Sequence, residues 1–344
     1  SKFGWERANW FEPGNKTRRS APSFDRDHEV ETIGREHRAA REGVVLIDQS
    51  SFTKFEISGP DAQDFLQYLC VANVGGAPGS AAYTQLCNAR GGIEADVTVI
   101  RRTATCYWLI TGSGFGVRDR QWIESHLAGF GGDVRINDIS NAYGVINLAG
   151  PLARKVLEKA SSDDISHETQ PFMTAKDIRI GYAPAVAFRI TYIGELGWEL
   201  YIPIEYVSHV YERLKDAGRE FDITDIGYKA IDSLRIEKRY LAWGTDITPD
   251  YNPFEAGLQF VIDWDKGDFI GAEALRQIRQ TGVSQKLVCL ALDEPLAVYG
   301  GEAILVDATP VAHATSGNFG YSVGNSLVLG YLPTEHLDKP VFEV

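Results

Sequence analysis

The sequence predicts an α+β protein: two units of similar design, followed by a small all-β module. Three observations predict it. Residues 55–69 and 145–159 repeat one pattern, an alternating strand, then Gly-Pro, then an amphipathic helix. Alternating strand patterns follow each copy. From Gln285 onward the chain changes to short strands and glycine turns. With 344 residues the chain is long enough for two or three compact modules, and 44% hydrophobic with 24% charged residues excludes a disordered, collagen-like or disulfide-stapled chain.

The first 30 residues are aromatic and polar (Trp5, Trp10, Phe11, Pro13, Gly14) without a clear period. They are expected to form an extended arm on the body, because tryptophans rarely stay in water without a partner. Residues 34–41 read as a short helix. The repeat then begins. Phe55-Glu-Ile-Ser-Gly-Pro-Asp-Ala matches Ile146-Asn-Leu-Ala-Gly-Pro-Leu-Ala, with Gly59 and Gly150 permitting a tight exit and Pro60 and Pro151 suited to a first helical turn. Strand–Gly-Pro–helix is also a cheap local solution, so duplication and coincidence both account for it. Strands are expected at 82–87, 95–101 and 106–111, with a two-glycine turn, Asn88-Ala-Arg-Gly-Gly92, after the first, and a helix at 121–127. A second series has strands at 185–191 and 198–202, then helices at 206–215, 227–239 and 269–278. The terminal module has strands at 286–292, 303–306, 320–323 and 327–331. The expected boundaries are 1–280 for the α+β region and 281–344 for the β module.

Charge and motifs exclude several functions. Lys plus Arg number 34 against 47 Asp plus Glu, a net charge of −13 that repels phosphate backbones. Only short basic pairs occur, Arg18-Arg19 and Arg101-Arg102, so no nucleic-acid partner is expected. Cys70, Cys87, Cys106 and Cys289 are scattered without C-x-x-C and read as free thiols of a reducing compartment. There is no P-loop, no H-E-x-x-H and no histidine spacing for a metal; Gly112-Ser-Gly-Phe-Gly-Val lacks the third glycine of a dinucleotide fingerprint, so no flavin site is expected in this chain. His313 beside Thr315-Ser316-Gly317 lacks a G-x-S-x-G elbow and reads as a surface histidine. No apolar run approaches the ~18 residues of a membrane helix. The start at Ser1, with Met173 the only methionine, is expected to reflect processing or a piece of a longer polypeptide.

Two carboxylates stand out. Asp96 interrupts an otherwise strand-like run, and a carboxylate in a half-buried strand is costly unless it is paired or used. Pattern alone leaves it either facing water or held for chemistry. Glu195 lies between two glycines in Tyr192-Ile-Gly-Glu-Leu-Gly-Trp198. It reads either as a turn carboxylate or as one presenting its oxygens to a flat heterocycle with adjacent N–H donors.

These same residues carry a resemblance. Asn88-Ala-Arg-Gly-Gly-Ile-Glu-Ala-Asp-Val-Thr-Val resembles the Gly-Gly turn and aspartate strand of the glycine-cleavage T-protein (aminomethyltransferase) family, and Ile193-Gly-Glu-Leu-Gly-Trp-Glu resembles its Thr-Gly-Glu segment. Gly4-Trp-Glu-Arg-Ala-Asn-Trp-Phe11, Ser233-Leu-Arg-Ile-Glu-Lys238, Ala242-Trp-Gly244, Asn252-Pro-Phe-Glu-Ala-Gly-Leu258 and Asp268-Phe-Ile-Gly271 look like the folate-binding C-terminal half of dimethylglycine and sarcosine dehydrogenases. The resemblance implies a three-module cloverleaf, two intertwined α+β units plus a C-terminal all-β barrel, around a folate site. It implies tetrahydrofolate as cofactor and capture of an amine-derived methylene to give 5,10-methylenetetrahydrofolate. A methylated amine would supply the carbon, with a flavin-dependent dehydrogenase domain or subunit as partner, in cytoplasm or mitochondrial matrix. By position, Asp96 matches the catalytic aspartate and Glu195 the glutamate that pairs with pterin N–H groups. Tyr83, Phe172 and Phe188 match an aromatic wall, with plain core as the alternative for the two phenylalanines; Phe52, Thr98 and Gly112 line the same cavity more weakly. Ala95 where T-proteins carry a second aspartate, Ile231 where they carry arginine, and Phe188 where tyrosine is common favour the dehydrogenase-type subgroup. A noncatalytic scaffold of this fold and a stand-alone folate-dependent demethylase are the competing readings.

Overall fold

The computed structural model describes residues 4–12, 30–339 and 342–344. They form two units. The first comprises Ser1–Phe52, Asp138–Tyr240 and Gly320–Gly324; the second comprises Thr53–Asn137, Leu241–Phe319 and Asn325–Val344. Pro13, Gly14 and the Arg18-Arg19 pair lie outside the described residues.

The first unit is built on a six-stranded sheet in the order Thr224–Asp225, Val45–Asp48, Tyr143–Ala149, Gly197–Pro203, Ala183–Phe188, Ala175–Ile180. Its outermost pair, Val45–Asp48 with Thr224–Asp225, is parallel and the others are antiparallel. Leu46, Leu148, Leu200 and Ala187 alternate onto one face, where helices Ala153–Ala160 and Val207–Gly218 cover them. Val45, Ile47 and Ala149 on the opposite face meet helices Val30–Glu42 and Tyr228–Glu237. The helix expected at 34–41 is thus longer at both ends. The described part of the N-terminal arm is extended and held by its backbone: Phe11 N–H donates to the buried Glu36, whose other oxygen takes Gly227 N–H, while Ala8 and Asn9 carbonyls accept from Tyr228 and Lys229.

The second unit carries two sheets. A five-stranded one runs Ala81–Cys87, Ile93–Arg101, Cys106–Thr111, Thr53–Ser58, Arg135–Asp138, with helices Ala62–Leu69 and Gly116–Phe130 closing its apolar face. A four-stranded antiparallel one runs Gln285–Ala291, Asn325–Pro333, Thr309–Gly320, Ala303–Val306. Among the described residues no ladder joins Ala303–Val306 to Gln285–Ala291; Ala303–Val306 meets Glu343 through an isolated bridge at Leu305. The strand expected at 320–323 is corrected: Gly320 ends strand Thr309–Gly320, and residues 321–324 are the turn between the two long strands, closed at Gly324 (φ 75°).

The repeat is geometrically faithful. Helix Ala62–Leu69 buries Ala62, Phe65, Leu66 and Leu69, and Ala153–Ala160 buries Ala153, Val156, Leu157 and Ala160, the same i, i+3, i+4, i+7 stripe. Each helix begins three residues after its glycine, so Pro60 and Pro151 stand in the preceding turn rather than in the first helical turn. Gly59 (φ 135°) and Gly150 (φ 116°) have the backbone that glycine alone adopts freely, and a Cβ at either would collide with a carbonyl oxygen, of Asp133 or of Gly43.

Candidate functional site

The turn at Asn88–Gly92 sets the register of the aspartate strand. Asn88 Oδ1 accepts from the N–H groups of Arg90 (2.9 Å) and Gly92 (3.0 Å), and Gly91 (φ 85°) supplies the left-handed step. The returning strand places Ala95, Val97 and Val99 in the core and turns Asp96 and Thr98 to the other face. There Gln85 pairs with Asp96 and Tyr83 with Thr98 across the ladder. Thr98 also pairs with Ile110 on strand Cys106–Thr111, which ends one residue before Gly112. Three sequence-predicted residues, Tyr83, Asp96 and Thr98, therefore share one sheet face of the second unit, and Gly112 follows the neighbouring strand.

Asp96 is half-buried and does not simply face water. Burial pushes its carboxyl up to about 6, against hydrogen bonds from Tyr83 and Gln85 that hold it down. Gln85 Nε2 donates to Asp96 Oδ1 at 3.1 Å, and Gln85 Oε1 is buried with no hydrogen-bond partner. A carboxyl near 6 with only neutral donors around it can both give and take a proton at neutral pH. Beyond Gly112, Phe115 folds back with its N–H on the Gly112 carbonyl (3.0 Å) and its ring edge-on to Trp243 (4.6 Å). A separate cleft of about 550 Å³ in this unit, lined by residues including Thr245, Tyr251, His313 and Tyr331, holds none of the expected residues.

Glu195 belongs to the first unit and is held by ions. Gly194 (φ 75°) turns the chain, Thr191 Oγ1 donates to the Glu195 carbonyl (2.8 Å), and Arg41 Nη1 donates to Glu195 Oε1 at 2.8 Å. Arg41 Nη2 reaches Glu237 Oε2 at 3.1 Å. Glu237 in turn lies 3.3 Å from Nε2 of the fully buried His37 and accepts from Ser322 N–H (2.8 Å). Burial raises the Glu237 carboxyl, but His37, the Ser322 amide and Arg41 outweigh it and bring it to about 2.

The remaining predicted residues divide. Phe188 is fully buried on strand Ala183–Phe188, on the face away from the Leu148 and Leu200 core. Cross-strand pairing puts it in a row with Glu199, Asn147 and Ile47. Asn147 is buried with both side-chain polar atoms unpartnered, and Gln49 Oε1 is buried and unpartnered as well. Phe172 stands in a turn, 64% exposed, which excludes the core alternative for it. Phe52 follows strand Val45–Asp48 and lies under the Arg7 guanidinium, 6.0 Å from the ring centre. Sequence reasoning missed Gln85, Arg41, Glu237 and Asn147. Only the cross-strand register of Gln85 opposite Asp96 offered a signal. Among the described residues, no cluster of His, Cys, Asp or Glu has a metal-binding arrangement, and no helix is long and apolar enough to cross a membrane.

Comparison with known proteins matches most of the chain. The family model described as GCVT N-terminal domain matches residues 1–266, and that of the glycine cleavage T-protein C-terminal barrel domain matches residues 285–344. Rat (Rattus norvegicus) mitochondrial dimethylglycine dehydrogenase is 39% identical over 335 residues, covering 96% of this chain and 39% of the relative. Aminomethyltransferase of Symbiobacterium thermophilum is 31% identical, covering 88% of this chain and 81% of that protein. The crystal structure of glycine cleavage system aminomethyltransferase T from Bartonella henselae superposes with a TM-score of 0.80 at 27% identity, covering 89% of this chain and 82% of that one. The chain spans about two fifths of the length of the dehydrogenases it matches.

Proposed function

Because the chain belongs to the glycine cleavage T-protein family, we propose that it is a tetrahydrofolate-dependent one-carbon transferase. In this reading it captures an amine-derived methylene as 5,10-methylenetetrahydrofolate, as a module or subunit of a dimethylglycine- or sarcosine-type demethylating system. The observation that carries the reading is Asp96: a half-buried carboxyl at about 6, cradled by Tyr83 and Gln85, with an unmet acceptor beside it.

Each unit by itself carries acceptors of the kind a reduced folate would use. A pterin edge carries N–H donors, and Glu195 Oε2 makes no hydrogen bond among the described residues, because Arg41 takes Oε1 alone. The buried, unpartnered Gln85 Oε1 asks for a donor in the same way. Bound tetrahydrofolate supplies amine nitrogens able to accept carbon at the formaldehyde level. Asp96 holds and moves the proton at its carboxyl, and in its ionised form it stabilises neighbouring positive charge. Tyr83 and Gln85 orient that carboxyl. Glu195 orients the pterin by a charged hydrogen bond. The carbon donor is a methylated amine oxidised elsewhere, by a flavin-dependent domain or subunit.

The test is a tetrahydrofolate titration by calorimetry, followed by assay of the folate product with an iminium-generating donor. Wild type is expected to bind saturably and yield methylene-folate. Asp96→Asn is expected to bind within a few-fold of wild type and to lose transfer by about 10²–10⁴. No saturable binding would favour the scaffold reading, and a methyl-folate product the stand-alone demethylase.

A further inference from the structure

We propose that Arg41 is the positioning residue of Glu195, and that Glu237, His37 and Ser322 hold Arg41 in place. The inference rests on the reading above, in which Glu195 pairs with a pterin edge. Arg41 lies in the last turn of helix Val30–Glu42 and makes four hydrogen bonds. Nη1 serves the Ile193 carbonyl (2.6 Å) and Glu195 Oε1 (2.8 Å); Nη2 serves the Leu234 carbonyl (2.9 Å) and Glu237 Oε2 (3.1 Å).

The division of these bonds is informative. A guanidinium facing one carboxylate ordinarily grips both oxygens through its fork. Here the fork is split between two carboxylates, so Glu195 is steadied through one oxygen, and the other has no hydrogen bond among the described residues. The Thr191 hydroxyl on the Glu195 carbonyl pins the main chain at the same place. A glutamate has three side-chain torsions, and fixing them before ligand arrives removes an ordering cost from binding. The far end of the fork is equally fixed. Glu237 Oε1 accepts from Ser322 N–H, and His37 is wedged between the Ser233 (2.9 Å) and Ser322 (2.8 Å) hydroxyls. Arg41 is therefore a rod with one anchored end and one working end.

The experiment uses the full 344-residue chain and tetrahydrofolate itself as the probe. Wild type, Arg41→Gln, Glu195→Gln and the double variant are compared in three readouts: Kd, the ultraviolet difference spectrum of the pterin at saturation, and the thermal midpoint. Arg41→Gln is expected to weaken Kd about tenfold or more. Its saturated spectrum is expected to match that of Glu195→Gln, and the double variant to bind no more weakly than Glu195→Gln alone. A purely structural Arg41 would lower the midpoint while leaving the wild-type spectrum at saturation; that result, or additive losses in Kd, overturns the proposal. Should Arg41→Gln not fold, Arg41→Lys keeps the charge without spanning both carboxylates. A wild-type Kd and spectrum for Arg41→Lys also overturns it. If wild type binds no tetrahydrofolate, or Glu195→Gln binds as wild type does, the functional reading itself fails, whatever Arg41 does.

Discussion

The two acids singled out by the sequence are held in opposite ways. Asp96, in the second unit, sits among neutral donors on a sheet face, and burial lifts its carboxyl to about 6. Glu195, in the first unit, sits in a glycine turn beside an ionic chain that runs through Arg41 to Glu237, with His37 packed against Glu237. An acid that must exchange protons gains from a cradle that leaves both forms accessible, whereas an acid that must present negative charge gains from a cation that never lets go. The difference lies in the surroundings, because aspartate and glutamate have nearly the same intrinsic acidity.

The comparison can be broken first at Glu237. Its depressed carboxyl adds stability that is present above the ordinary value near 4.5 and lost as pH falls toward 2. Glu237→Gln is therefore expected to cost about 2–3 kcal/mol at pH 7 in urea unfolding and to flatten the acid side of the stability profile. An unchanged profile would show that the ionic chain does not hold the first unit. Next comes Glu195. Its amide variant is expected to weaken tetrahydrofolate binding by about 10- to 100-fold, the worth of one charge-assisted hydrogen bond, while transfer at saturating folate survives. Loss of turnover with unchanged Kd would reverse the two roles. The smallest effect has the opposite sign. The raised Asp96 carboxyl costs the folded state stability as pH rises from about 4 through about 6. Asp96→Asn removes that cost and is expected to stabilise by about 1–2 kcal/mol at pH 7 relative to its effect at pH 4. Equal effects at both pH values would place Asp96 in open water after all.

Much of this was legible because it is local. The Asn88–Gly92 turn and the alternation after it announced the aspartate strand, and the Gly-Pro signals announced both repeat units. What escaped depends on pairing between distant segments. Gln85 matters only because it faces Asp96, and the register shift between Leu86 and Cys87 is invisible in a list of residues. Arg41 looked like one more charge on a polar helix, since its acceptors come from residues 193, 195, 234 and 237. The segment at 320–323 resembled a strand because Tyr321 and Val323 alternate with small residues. Tyr321 instead packs its ring over Gly34 and donates to the Val30 carbonyl, contacts that hold a turn. Phe188 kept its two alternatives in the sequence because an aromatic in a buried strand suits core and ligand wall alike; the structure buries it completely.

The bond between His37 and Ser322 joins residues 285 positions apart. During synthesis the ribosome must therefore deliver almost all of the described chain before this imidazole finds its second hydroxyl and Glu237 its last amide donor. The cost of closing so long a loop grows only slowly with its length. The grip on Glu195 thus draws on segments from both ends of the described chain. A nascent chain that has not reached the turn at 321–324 also lacks strand Asn325–Pro333, and leaves Glu237 without the Ser322 amide behind Arg41 and Glu195.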